Sequence, residues 1–338
     1  MSPRPPAMPR LGALLLALMA CGAGMASTAD QPLRPIAAWA YPQASSPDPS
    51  APDTKPASHR PDEIVRVSDS PRSYRYGELF GPHSGAADWF PHDHPPLPAI
   101  VAHGTVPGAE SCGGCHVPDG TGVPATAALA GLPRDYMLEQ IAAFRHGERG
   151  RSEPASAQMM VKEAGAIGDR DVAQALDYFS RRPFKSNVRV VESATVPATH
   201  WQVYVLQPDA DGHREPIGQR IIEIPVRPDD YDKEDTHSGF TAYVPPGSIE
   251  RGAVLATVGS GTLLPCESCH GDRLQGRGTA PPLAGRSPTY IARQLLLFAS
   301  GQRDSPNAAA MQHEAKQLTL QDAVSAAAYA AALGGNRH

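Results

Sequence analysis

The pentapeptide Cys266-Glu267-Ser268-Cys269-His270 repeats the chemistry of Cys112-Gly113-Gly114-Cys115-His116 at an offset of 154 residues, and nothing else restricts this 338-residue chain so strongly. Two thiols three positions apart share one helical turn. Each can add across a vinyl group of one porphyrin, which leaves the adjacent imidazole facing the iron. This is the attachment pattern of c-type haem. The pair of motifs uses every cysteine except Cys21. Cys112, Cys115, Cys266 and Cys269 are therefore the expected thioether anchors of two haem c groups, with His116 and His270 as proximal iron ligands. A structural zinc site needs four ligands per metal, which the two motifs could supply only by pooling. A histidine directly after the second cysteine favours haem.

The likeness extends well beyond the pentapeptide. Leu129, Gly131, Tyr136, Gln140, Phe144, Gly147 and Arg149 correspond to Leu283, Gly285, Tyr290, Gln294, Phe298, Gly301 and Arg303, all 154 apart. After a three-residue difference the match resumes at 151, pairing Met160 with Met311, Asp171 with Asp322 and Tyr178 with Tyr329. An internal duplication over 97–184 and 247–335 is the simplest account. Within the first copy, Tyr136, Met137, Ile141 and Phe144 predict a helix from Tyr136 to Arg145, and Val172, Leu176 and Phe179 predict another from Asp169 to Ser180.

The sixth ligand decides between electron transfer and chemistry on a bound molecule. A methionine sulfur closes the coordination sphere and raises the reduction potential, whereas an open position admits a small ligand. Met159 and Met160 both stand in the right part of the first copy. Met311 is followed by alanine at +4, an aliphatic residue at +7, aspartate at +11 and tyrosine at +18, and only Met160 repeats this series. The expected metal ligands are His116, Met160, His270 and Met311.

Around the repeats the texture changes. Residues 1–29 hold Arg4 and Arg10, an apolar run from Leu11 to Ala20 and then small residues, the layout of a secretory signal peptide. Leu18-Met19-Ala20-Cys21 resembles a lipoprotein cleavage box, which would tether the protein to a membrane through Cys21; the alternative is cleavage after Ala26 or Ala29. Export predicts a periplasmic location. Residues 30–84, rich in Pro, Ser, Ala and Asp, predict a mostly extended linker, with Trp39, Tyr41, Tyr74, Tyr76 and Phe80 docking on a folded domain. His92 and His94 in Trp89-Phe90-Pro91-His92-Asp93-His94-Pro95-Pro96, and His103, are expected to cap turns rather than to ligate metal.

The cytochrome-like segments are placed at 85–184 and 247–338, with a β-rich insertion at 185–246. There Val188–Val191, Trp201–Val205, Gln219–Ile224 and Gly239–Val244 predict strands of a small antiparallel unit. Proline and glycine, 36 and 31 residues, make up about a fifth of the chain, so much of it must be loop. A net charge of −5 and a pI near 6.2 argue against nucleic acid or an anionic membrane as partner. A basic patch on another protein suits this charge better.

On these residues each haem segment resembles class I cytochrome c, and their pairing resembles the periplasmic dihaem cytochromes of proteobacteria. The resemblance covers a little over half the chain. It implies a mainly α fold of two cytochrome c domains separated by the β insertion, with His/Met ligation. It further implies transfer of single electrons from a dehydrogenase or quinol-oxidising complex to a terminal oxidase or another cytochrome, with no catalytic residue. A dihaem peroxidase or small-molecule dehydrogenase, or the cytochrome subunit of a larger dehydrogenase complex, is the alternative. Arg149 and Arg303 are implied to lie near haem propionates. Members usually carry Pro-x-Leu-x-Gly after the motif, the proline carbonyl accepting the proximal imidazole N–H. Pro281-Pro282-Leu283-Ala284-Gly285 fits this pattern, and the first copy departs from it with Ala127.

Overall fold

The structure, a computed structural model, describes residues 1, 37, 39–42, 60–80, 85–150, 155–202 and 204–335. The expected signal peptide, its box at Cys21 and much of the 30–84 linker lie outside the described residues. Among the described residues, no helix is long and apolar enough to cross a membrane.

Part of the expected linker folds. Ile64–Val65 (β1) pairs antiparallel with Tyr74–Arg75 (β2), which leads into the helix Tyr76–Phe80 (α1). Val65, Val67 and Leu79 bury against Ala87, Trp89 and Phe90, and Tyr74 meets Trp89 edge-on at 4.7 Å. Average composition is polar here, but each large apolar side chain buried contributes about 1.5–3 kcal/mol, enough to organise a short segment. Phe80 stays 39% exposed instead of docking. Upstream, Tyr41 is buried beside Ala40 and Leu296, under the Arg293 guanidinium at 4.7 Å.

The first haem domain is built from Ala99–Ala102 (α2), Cys112–His116 (α3), Arg134–His146 (α4), Ala155–Ala166 (α5) and Asp169–Ser180 (α6). Its core joins Ile100 and Val101 to Leu132, Met137, Val172, Leu176 and Phe179. The helix expected from Tyr136 to Arg145 begins just after Pro133 and closes on Gly147, whose φ of 71° gives the left-handed stop.

The insertion comprises Val188–Glu192 (β3), Thr195–Pro197 (β4), Thr199–Gln202 (β5), Val205–Pro208 (β6), Arg214–Pro216 (β7), Ile222–Pro225 (β8), Pro228–Tyr231 (α7) and Phe240–Val244 (β9). The pairs β4–β7, β5–β6 and β8–β9 are antiparallel, and β3–β9 is parallel with Val188 opposite Phe240. The strands that open and close the insertion therefore lie side by side. The run Trp201–Val205 is not one strand: Gln202 pairs with Val205, so the chain folds back on itself. This doubling satisfies backbone groups that a lone strand would leave open, and it buries Val205 and Gln207.

The second haem domain holds Ser248–Thr257 (α8), Cys266–His270 (α9), Pro288–Ala299 (α10), Ala309–Ala315 (α11) and Leu320–Ala332 (α12), with short 3-10 turns at Asp272–Leu274 and Pro306–Ala308. Helices α8 and α12 cross at Gly252, where a Cβ would stand 2.0 Å from the Ser325 carbonyl oxygen. The first domain has no equally long counterpart of α8. Pro98 occupies the position of Gly252, and Pro91, Pro95 and Pro96 precede it, so helix begins only after the last of these prolines.

Candidate functional site

Each haem motif is a five-residue helix ending on its histidine. Ser111 starts the first, its Oγ accepting from Gly114 N–H at 3.1 Å; Pro265 precedes the second. His116 and His270 are 8% and 7% exposed. His116 Nδ1 lies 2.8 Å from the Ala127 carbonyl oxygen, and His270 Nδ1 lies 2.9 Å from that of Pro281. A carbonyl can only accept, so Nδ1 carries the proton and the Nε2 lone pair is left for a metal. Burial lowers the pKa of both imidazoles, although the carbonyl opposes it. Both are therefore neutral, as ligation requires. Replacement of proline by Ala127 leaves the proximal bond in place.

The four motif cysteines form no disulfide. Burial pushes the Cys112 thiol up to about 12, and those of Cys115 and Cys266 to about 11. These are unactivated thiols rather than redox-poised thiolates. Among the described residues, no group of three or more His, Cys, Asp or Glu gathers to hold a metal ion. Pooled zinc coordination thus has no geometry behind it.

Met160 lies half-buried on α5 beside the more exposed Met159, and Met311 lies on α11 packed against the cluster of Phe298, Ala308 and Ala315. His94 is held by Asp88 at 3.1 Å and by the Pro95 carbonyl at 2.9 Å, while His92 and His103 face solvent. All three stay outside the motif sites.

Between the domains, duplicated residues meet their own counterparts. Arg149 Nη1 donates to Gln140 Oε1 at 2.8 Å, and Arg303 Nη1 donates to Gln294 Oε1 at 2.9 Å. Their Nη2 groups cross over, Arg149 to Gln294 at 3.0 Å and Arg303 to Gln140 at 2.7 Å. Arg149 also donates to the Tyr290 hydroxyl at 3.0 Å, and Arg303 bonds Tyr136. Each guanidinium covers the phenylalanine of its own domain, Phe144 at 4.6 Å and Phe298 at 4.0 Å. This part of the interface is pseudo-two-fold, so these contacts of arginine, glutamine, tyrosine and phenylalanine occur twice.

The electrostatics of this interface bear on whether haem fits. Burial and the neighbouring Arg149 lower the pKa of the Arg303 guanidinium. Burial resists ionisation of Tyr136, but the two guanidiniums outweigh it and hold the phenol below its usual range. Haem propionates supply carboxylates whose sign suits two buried cations side by side. With neutral imidazoles, protonated thiols and this cationic seam, the residues present fit one haem at each motif. When bound there, haem supplies a one-electron ferric/ferrous couple.

Two residues of this region were not read from the sequence. Arg293 Nη1 donates to the Pro124 carbonyl at 3.0 Å and its Nε donates to that of Ala40, tying α10 to both the first haem domain and the linker. Arg286, seven residues earlier and just ahead of α10, reaches the same domain. Their counterparts in the first copy are Glu139 and Leu132, and that mismatch was the available signal.

The family described as cytochrome c matches residues 104–180. No curated protein matches the chain. Among solved structures, the thiosulfate dehydrogenase TsdBA of Marichromatium purpuratum is 26% identical with a TM-score of 0.45, covering 65% of this chain but only 36% of that one. Cytochrome c4 of Acidithiobacillus ferrooxidans is 22% identical over 66% of this chain and 98% of its own, with a TM-score of 0.45. Cytochrome c4 of Pseudomonas stutzeri is 20% identical over 66% and 93%, with a TM-score of 0.43. Residues 104–180 therefore match cytochrome c, and the second copy repeats their haem motif, their proximal hydrogen bond and their interface side chains.

Proposed function

We propose that this cytochrome is an exported, periplasmic carrier that passes single electrons between protein partners, its irons held by His116 with Met160 and by His270 with Met311. The observation that carries the reading is the repetition: both imidazoles are fixed through Nδ1, and in both copies a methionine follows at matching register on the next but one helix, α5 and α11. Two thioether-capped irons leave no coordination position for a substrate, which is the property of a carrier rather than of an enzyme. The proposed donor is a dehydrogenase or quinol-oxidising complex, and the proposed acceptor a terminal oxidase or another cytochrome. A net charge of −5 matches basic docking patches on such partners. A lipid anchor at Cys21 would confine the carrier to the membrane surface.

Replacing Met160 by alanine tests the ligand set. The substitution is expected to lower one midpoint potential, leave the other unchanged and remove one haem's share of the far-red sulfur-to-iron absorption. Unchanged potentials and absorption in the Met160→Ala protein would remove Met160 from the coordination sphere. Met159→Ala serves as the control and is expected to change neither.

A further inference from the structure

The two loops that accept the proximal hydrogen bonds are built from unequal residues. The second has Pro281-Pro282 where the first has Ala127-Ala128. Each proline fixes φ near −65°, so the second acceptor carbonyl is stiff by covalent structure and the first is not. Nevertheless the two proximal bonds are equally short, 2.8 and 2.9 Å. Something else restrains the first loop.

One side chain reaches both loops. Arg286, which belongs to the second domain, donates through Nε to the Pro282 carbonyl at 2.8 Å, through Nη1 to that of Ala128 at 2.5 Å and through Nη2 to that of Ala130 at 2.9 Å. Pro282 and Ala128 are equivalent in the duplication, so one guanidinium joins equivalent carbonyls across the pseudo-two-fold. Arg286 is 6% exposed and stacks on the Phe184 ring at 4.3 Å. Its backbone neighbour is pinned as well, Ser186 Oγ donating to the Gly285 carbonyl at 2.7 Å. The first copy returns no such arm, because Leu132 stands at the corresponding position.

We propose that Arg286 is a positioning residue for the first haem: by holding the carbonyls of Ala128 and Ala130 it keeps the Ala127 carbonyl aligned on His116 Nδ1–H, supplying from the second domain the stiffness that Pro281-Pro282 give the second loop. The proposal deepens the dihaem assignment and rests on it. The donor strength of a ligating imidazole follows the hydrogen bond at its other nitrogen, so docking of the second domain sets the electronic character of the first site. Separating the domains would loosen the first proximal bond and spare the second.

The test uses the mature dihaem protein with Arg286→Lys, Arg286→Gln, and Arg286→Lys combined with Ala127→Pro. Lysine keeps the charge but cannot bond three carbonyls in a fixed fork. Proton NMR reads the solvent exchange of the two histidine Nδ1–H groups, and optical titration reads the two potentials. In both single variants His116 Nδ1–H is expected to exchange about tenfold faster or more, with His270 changed by less than about twofold, given the prolines that fix the second loop. In Arg286→Lys the first potential rises, since a weaker bond makes imidazole a poorer donor to ferric iron, and Ala127→Pro returns both readouts toward wild type. Unchanged exchange at His116, equal loosening of both sites or failure of Ala127→Pro to restore the first would overturn the proposal. Mass spectrometry showing two covalent haems on every protein compared keeps the dihaem assignment separate from this outcome. If Arg286→Gln does not mature, Arg286→Lys carries the same criteria alone.

Discussion

Replacing Cys266 and Cys269 together by alanine is expected to yield a chain carrying one covalent haem, with the second domain unfolded and the first still assembled. A domain of this size buries too little surface to be robust without a further stabilising element. Its core is divided between two small groups, one around Leu255, Leu263 and Leu318 and another around Phe298, Ala308 and Ala315, and a larger cluster that it completes only by sharing Val188, Phe240 and Val244 of the insertion. A covalently held group that binds only the folded state contributes directly to folding free energy. Intact-protein mass gives the haem count, and circular dichroism gives the lost helix. Two haems on the double variant would show that attachment does not depend on these thiols.

The second large effect is expected at Gly252. Valine there places its Cβ 2.0 Å from the Ser325 carbonyl oxygen and 2.6 Å from the Tyr329 Cβ. The nearest atom is backbone inside α12, so no rotamer change relieves the clash; helices α8 and α12 must separate. Overpacking of that kind costs more than about 3 kcal/mol, equivalent to a fall in Tm of roughly 10 °C or more. The transition of the second domain moves and that of the first stays. Pro98, the equivalent residue of the first domain, makes no such helix crossing and gives the control: Pro98→Ala is expected to change stability by less than about 1 kcal/mol. Calorimetry of the oxidised protein separates the two transitions.

What could be read from the sequence followed from periodicity and duplication. The haem motifs, the helices α4 and α6, and the pairing of Gln140 with Gln294 and Arg149 with Arg303 in register were visible because duplication writes each signal twice. The proximal bond at Ala127 was legible for a different reason: it needs a backbone carbonyl, which any residue provides. Several features were hidden. Short β-branched runs do not say where they fold back, and Gln202 pairs with Val205 with no glycine or asparagine to mark the turn. The parallel ladder of Val188 with Phe240 depends on partners 52 positions apart, beyond any local pattern. Composition averaged over 30–84 concealed the cluster around Trp89. Arg286 was marked only by its mismatch with Leu132, because its partners are main-chain carbonyls, which leave no complementary side chain in the sequence.

The central claim is that each of two related domains holds its iron between an imidazole nitrogen and a methionine sulfur. Combined near-infrared absorption and electron paramagnetic resonance of the fully oxidised, mature protein address it directly. The account predicts two low-spin ferric haems, both contributing the sulfur-to-iron band, and no reaction with added peroxide. A high-spin ferric signal from either haem, accompanied by stoichiometric consumption of peroxide, would contradict it.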